Sequence, residues 1–167
     1  MDPTTIETMN TAASILLAED REEDIILIQK SFQRAAISNP LFIVRDGEEG
    51  INYLSGIGRY ADRNQFPLPA LFLLDLKMPG TDGFDVLRWI STQPNLKSLR
   101  VVVLTSSEAI RDVELAYKVG ASSFLVKPMD FSGTVDVVKE TVHYWLGRNM
   151  TSGPSATNKQ KTNSAKD

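Results

Sequence analysis

Three acids, a hydroxyl and a lysine draw attention because each closes or directly follows a short apolar run. Glu19-Asp20 follow residues 14–18, Asp75 follows residues 71–74, Thr105 follows residues 101–104, and Lys127-Pro128 follow residues 123–126. Brought together, the carboxylates repel: a pair about 4 Å apart costs about 4 kcal/mol at an effective dielectric of about 20. One of them protonates unless a cation intervenes. The donors are all oxygen, which selects a hard divalent ion such as Mg²⁺ or Mn²⁺. That ion, the Lys127 ammonium and the Thr105 hydroxyl could all contact oxygens of a phosphoryl group. An aspartate is a legitimate nucleophile that forms an aspartyl phosphate, and phosphoryl transfer needs positioning and charge stabilisation more than covalent machinery. Asp75, which ends the central run and precedes the Met78-Pro79-Gly80 turn, is the candidate nucleophile.

Such a convergence requires elements that deliver all five positions to one crevice. The runs at residues 14–18, 41–44, 71–74, 101–104 and 123–126 are continuous rather than alternating, as suits strands covered on both faces. Between them lie helical patterns. Ile25, Ile28, Phe32, Ala35 and Ala36 form the first, and Ile51, Leu54 and Ile57 the second, after Asp46-Gly47. Val86, Leu87 and Ile90 form the third, after Thr81-Asp82-Gly83. Ile110, Val113, Ala116 and Tyr117 form the fourth, with Ser107 as its cap and Gly120 as its stop. Phe131, Val135, Val138, Val142 and Trp145 carry the last to Leu146. Strict alternation predicts an α/β fold: a doubly wound (βα)5 parallel sheet in the order 2-1-3-4-5. In such sheets the site lies beyond the carboxyl ends of the strands, where the five positions fall.

Composition excludes several other chemistries. The 167 residues include no cysteine and one histidine, His143, which removes thiol nucleophiles, thiolate metal sites and multi-histidine centres. The formal charge is −3, and the last twenty residues carry Arg148, Lys159, Lys161 and Lys166 against Asp167. The body is therefore more acidic than the whole, which argues against nucleic acid as a partner. No run reaches the ~18 apolar residues that span a bilayer, and the start lacks a signal-peptide pattern. The expectation is a cytoplasmic protein that engages no membrane. It has a flexible arm at 1–12, one domain at 13–147 and a disordered polar tail at 148–167. Residues 56–69 make a long connection where about 2–6 residues are usual. It reads as a tolerated surface insertion or as a contact arm carrying Arg59, Tyr60, Arg63 and Phe66.

The motifs Leu-Ala-Glu19-Asp20, Leu-Leu-Asp75-Leu-Lys-Met-Pro79-Gly, Val-Leu-Thr105-Ser-Ser and Phe124-Leu-Val-Lys127-Pro128 resemble those of the CheY-like receiver domains of two-component response regulators. The resemblance covers about residues 13–146, nearly the whole of the chain expected to be ordered. It implies that Asp75 is the phosphoacceptor for a sensor histidine kinase. It further implies that Glu19 and Asp20 hold Mg²⁺ with Asp75 and the backbone carbonyl of Lys77. Thr105 and Lys127 would contact the phosphoryl oxygens, and Phe124 would occupy the switch aromatic position. Residues 96–105 and Tyr144-Trp145-Leu146 are similar to small receivers paired with phytochrome-type kinases, which implies a bacteriophytochrome partner. Two residues depart from the common pattern. Phe124 has no hydroxyl, and Lys77 is basic where polar or acidic residues are frequent, which leaves the phosphate lifetime open.

The expected function is thus a stand-alone phosphorylation switch, not an enzyme beyond its own phosphotransfer and autodephosphorylation. Without an output domain its state must be read by another chain. His143, Tyr144, Trp145 and Leu146 are the interface candidates for a homodimer, because a helix cannot bury all of them on one stripe. Two alternatives remain open. A haloacid-dehalogenase-type phosphatase also uses an aspartyl phosphate, but carries an acid two residues after its nucleophile, where Lys77 stands. A flavodoxin-like carrier shares the strand order, but Glu19-Asp20-Arg-Glu-Glu would repel a flavin phosphate.

Overall fold

The computed structural model describes residues 13–106 and 109–147. The expected arm at 1–12, the tail at 148–167 and the Ser107 cap lie outside them. Five strands, β1 (Ile15–Ala18), β2 (Leu41–Val44), β3 (Leu71–Leu74), β4 (Arg100–Thr105) and β5 (Ser123–Val126), form one parallel sheet in the order β2-β1-β3-β4-β5. The register pairs Ala18 with Val44 and with Leu74, Leu74 with Val103, and Thr105 with Val126. The five helices are α1 (Glu22–Arg34), α2 (Gly47–Ser55), α3 (Gly83–Ser91), α4 (Ile110–Lys118) and α5 (Phe131–Val142).

The continuous apolar runs are explained by two separate cores. Leu16, Ala18, Phe72, Leu74, Val101 and Val103 face one side with Tyr53, Leu54, Val86, Leu87, Ile90 and Ala116. Ile15, Leu17, Leu71, Leu73, Val102 and Leu104 face the other with Ile28, Phe32, Val138, Val142 and Leu146. The period of two along each strand thus feeds both layers, and polar residues occur only at strand ends, as Arg100, Thr105 and Ser123. Side-chain caps set the starts of α2 and α3: Asp46 accepts from the Glu49 N–H, and Asp82 and Asp85 form a reciprocal capping box.

Several expected helical positions are corrected. α1 ends at Arg34, so Ala35 and Ala36 are not on its core face, and Ala36 takes φ 57° to turn the chain. Ile57 lies past α2, which Gly56 closes in the left-handed region at φ 71°, and is 53% exposed. On α4 only Ala116 is buried; Ile110 is 74% and Tyr117 49% exposed. Residues 56–69 are not a projecting arm. They begin with a 3-10 turn (Gly58–Tyr60) and fold back so that Tyr60 and Phe66 pack on Tyr53 with ring centroids 4.9 and 6.0 Å away. Arg63 donates to the carbonyls of Tyr53, Leu54 and Phe66 at 2.8, 2.8 and 3.2 Å. Arg59 remains at the surface, its guanidinium over the Tyr60 ring.

After α5 the chain forms a π turn (His143–Gly147). The extra residue in that turn rotates Leu146 into the core, where it is 2% exposed, so it is not an interface residue. Trp145 is half-buried beneath the Arg100 guanidinium, 5.7 Å from the ring centroid, whereas His143 and Tyr144 are exposed. No helix among the described residues is long and apolar enough to cross a membrane.

Candidate phosphoryl and metal site

The sheet ladder continues one residue beyond its strands at the carboxyl end. The Glu19 N–H donates to Val44 O at 3.0 Å, Asp75 N–H to Ala18 O at 3.2 Å, and Lys127 N–H to Thr105 O at 2.8 Å. Backbone hydrogen bonds therefore fix the bases of the key side chains, and the site inherits the rigidity of the sheet. Gly83 supports the Asp75 loop from below: a Cβ there would come within 2.5 Å of the Asp75 carbonyl oxygen. Its N–H donates to Leu76 O at 3.0 Å. Only glycine lets α3 start this close to the chain that carries Asp75.

Glu19, Asp20 and Asp75 each direct a carboxylate oxygen into one cluster, with all three oxygens within 4.8 Å of one another. Glu19 and Asp75 are buried, and Thr105 is fully so. The Lys127 ammonium sits among acids, 2.6 Å from Glu19 Oε1, 3.0 Å from Asp24 Oδ2 and 3.4 Å from Asp75 Oδ2. The other Asp75 oxygen, Oδ1, accepts the Lys77 N–H at 3.4 Å, and Glu19 Oε2 accepts the Arg21 N–H at 3.1 Å.

Burial pushes the Glu19 carboxyl up from an ordinary 4.5 to about 7. The hydrogen bond from Lys127 opposes that rise and the neighbouring Asp75 charge adds to it. The Lys127 ammonium lies above its ordinary value: burial alone would lower it, but the bond to Glu19 and the charges of Asp75 and Glu19 outweigh that. Asp20 Oδ1 is buried without a hydrogen-bond partner among the described residues. An orphaned carboxylate oxygen beside a carboxyl that resists ionisation is the signature of a missing positive charge. The donor set therefore fits a hard divalent cation such as Mg²⁺, held by Glu19, Asp20 and Asp75. When bound, such an ion neutralises charge on phosphoryl oxygens. Lys127 meanwhile offers three N–H donors and a full charge within reach of Asp75.

All five expected residues, Glu19, Asp20, Asp75, Thr105 and Lys127, thus belong to the carboxyl end of the sheet. Phe124 lies behind them on β5, packed against the core that includes Val103. Its N–H donates to the Tyr117 hydroxyl at 3.0 Å. Tyr144 and Trp145 sit at the opposite end, in the wall of a cleft of about 530 Å³ that Pro69, Leu96, Leu99 and Arg100 help line, and His143 precedes them in the chain. That cleft holds none of the acid cluster.

Two residues with a part in the site were not singled out from sequence. Asp24 is one of three acids in the first turn of α1, with Glu22 and Glu23, and nothing local distinguishes it. Tyr117 reads as a core position of α4, yet its ring is half outside and its hydroxyl reaches the open edge of β5.

The response regulator receiver domain matches residues 15–139 of the chain. The probable methanogenesis regulatory protein FilR2 of Methanothrix harundinacea is 36% identical over 141 residues, 84% of this chain and 88% of its own. Response regulator Rcp1 of Synechocystis is 35% identical over 137 residues, 82% of this chain and 91% of its own. The Mn²⁺-bound crystal structure of Rcp1 superposes with a TM-score of 0.72 over 80% of this chain and 94% of that one. The phosphorylated cyanobacterial phytochrome response regulator RcpA does so with a TM-score of 0.75 at 34% identity, over 81% and 95% of the two chains. With its sheet order, its acid cluster and its strand-end lysine accounted for by one family across most of its length, the chain belongs to the response regulator receivers.

Proposed function

We propose that Asp75 is the residue on which this receiver takes a phosphoryl group from a histidine kinase. A carboxylate oxygen of Asp75 attacks phosphorus as the bond to the donor imidazole nitrogen breaks, and the imidazole leaves with the electron pair. Glu19, Asp20, Asp75 and the Lys77 carbonyl hold Mg²⁺. Lys127 and the Thr105 hydroxyl contact the phosphoryl oxygens. The single observation that carries this reading is the Lys127 ammonium 3.4 Å from Asp75 within a cluster whose Asp20 oxygen has no partner. Thr105 and Phe124 form the switch: the hydroxyl moves toward the new phosphate charge and Phe124 follows on the adjacent strand.

The kinase is of the light-sensing phytochrome type, a reading supported by the likeness to RcpA, whose name couples it to a phytochrome. The protein acts in the cytoplasm and engages no nucleic acid. It reports through a homodimer contact at His143, Tyr144 and the exposed edge of Trp145. Autodephosphorylation is its only hydrolytic activity.

Incubation with phosphoramidate and Mg²⁺, followed by intact mass measurement, tests the central step. The expected result is one hydroxylamine-labile phosphoryl adduct that EDTA prevents and Asp75→Asn abolishes. An adduct that survives in Asp75→Asn rejects the assignment.

A further inference from the structure

Lys127 is held by three acids, and only two of them belong to the metal cluster. Asp24 projects from the first turn of α1 and takes the Lys127 ammonium at 3.0 Å, closer than Asp75 does at 3.4 Å. Asp24 is outside the group of carboxylates able to share an ion, which comprises Glu19, Asp20 and Asp75. Its other charged neighbour is Arg21, whose Nε lies 3.5 Å from the same Oδ2 oxygen and whose Nη2 is engaged by Glu23 at 3.0 Å. Asp24 is thus a fourth negative charge at the site with no evident share in metal binding.

We propose that Asp24 is a positioning residue that restrains phosphoryl transfer by competing with an incoming phosphoryl group for the Lys127 ammonium. The inference rests on Asp75 being the phosphoacceptor. Two effects act together. The first is geometric: the ammonium is drawn toward Glu19 at 2.6 Å and Asp24 at 3.0 Å, on the α1 side of the crevice. To follow an incoming phosphoryl group it must move toward Asp75 and give up one of those bonds. A cation held by Glu19, Asp20 and Asp75 would share the Glu19 charge and so weaken the first hold, leaving Asp24 as the remaining one. The second effect is electrostatic. Glu19, Asp20, Asp24 and Asp75 stand against Lys127 and Arg21, so a divalent ion brings the group only to neutrality. A phosphodonor is an anion, and removing the Asp24 charge leaves a net positive group that attracts it. Asp24 is the one acid whose removal relieves both effects without taking away a metal ligand or the nucleophile.

The test compares the full chain with Asp24→Asn and Asp24→Glu. The readout is the initial rate of phosphorylation by phosphoramidate at saturating Mg²⁺, fixed ionic strength and donor concentrations well below saturation. Asn keeps an acceptor for Lys127 but loses the charge; Glu keeps the charge. Asp24→Asn is expected to react about three- to tenfold faster than the parent. Asp24→Glu is expected to return toward the parent rate, a rescue that a merely structural role would not give. Far-UV circular dichroism checks that both variants are folded. A rate for Asp24→Asn equal to or below the parent's overturns the proposal, and so does an Asp24→Glu variant as fast as Asp24→Asn. If the parent itself takes up no phosphoryl group, the assignment of Asp75 fails, and the two failures are told apart by that control.

Discussion

Mg²⁺ binding should release a proton below neutral pH, because the ion must displace the proton that burial keeps on Glu19. The carboxyl titrates near 7 in the metal-free protein against an ordinary 4.5. At pH 6 it is then about nine-tenths protonated, and at pH 8 about one-tenth. Apparent Mg²⁺ affinity should therefore fall about tenfold between pH 8 and pH 6, which is about 1.4 kcal/mol. Lys127 does not obscure this, since its own titration is raised and it stays charged throughout. Isothermal titration calorimetry in buffers of different ionisation enthalpy counts the protons directly: close to one released per ion at pH 6, close to none at pH 8. The same shift fixes the sign for stability. Between pH 4.5 and 7 the folded, metal-free chain binds more protons at Glu19 than the unfolded chain. Its unfolding free energy should thus decrease as pH rises through that window, by at most about 3 kcal/mol. Excess Mg²⁺ should remove the decrease. Equal affinity at both pH values with no proton release at pH 6 would refute the reasoning, by showing that Glu19 is ionised before the metal arrives.

Two further outcomes follow from the packing. Arg63→Ala should destabilise the fold by about 2 kcal/mol in urea unfolding, because Arg63 caps the α2 carbonyl of Leu54 and shares that of Tyr53 with the Gly56 N–H; phosphorylation of Asp75 should persist. Arg63→Lys should recover only part of that loss, since an ammonium cannot reproduce the fork. Tyr144→Ser should weaken a homodimer by about 2 kcal/mol, some thirtyfold, with an unchanged melting temperature for the monomer. Light scattering over a concentration series reads it, and an unaltered dimer would move the contact away from this end of α5.

The strands were legible because apolar residues at both parities keep their runs continuous, even in β2 and β5, which are mostly half-buried; residues 41–44, 71–74 and 123–126 match β2, β3 and β5 residue for residue. β4 starts one residue early, at Arg100, and includes Thr105. Helical faces were less legible where the pattern does not record what covers it. Val113 and Tyr117 on α4 repeat at the same spacing as Val86 and Ile90 on α3, yet the first pair is half-buried and exposed while the second is buried. Residues 56–69 misled for a related reason. Tyr60, Arg63 and Phe66 are residue types that serve equally in contacts with another chain or with this one. The choice was made by α2, whose last turn carries no basic residue of its own and takes Arg63 instead.

At the site, the positions tied to strand ends could be read and the one tied to a helix could not. Asp24 is selected from Glu22, Glu23 and Asp24 by the packing of α1 near Lys127, which no local spacing encodes. Counting it changes the argument for the metal. An ammonium has three hydrogens, and those of Lys127 have Glu19, Asp24 and Asp75 as partners at 2.6, 3.0 and 3.4 Å. Four carboxylates converge, so one goes without, and it is Asp20 whose buried Oδ1 has no partner. Had Asp24 been apolar, one hydrogen of Lys127 would have been available to an incoming phosphoryl oxygen or to Asp20. With Asp24 present, the lysine is fully engaged before any ligand arrives, and Asp20 is left for a cation. If Asp75 takes the phosphoryl group as proposed, the first positive charge available to it would be the metal's, and Lys127 would become available only by exchanging an acid for a phosphoryl oxygen. Metal dependence would then follow from the number of donors as well as from the sum of charges.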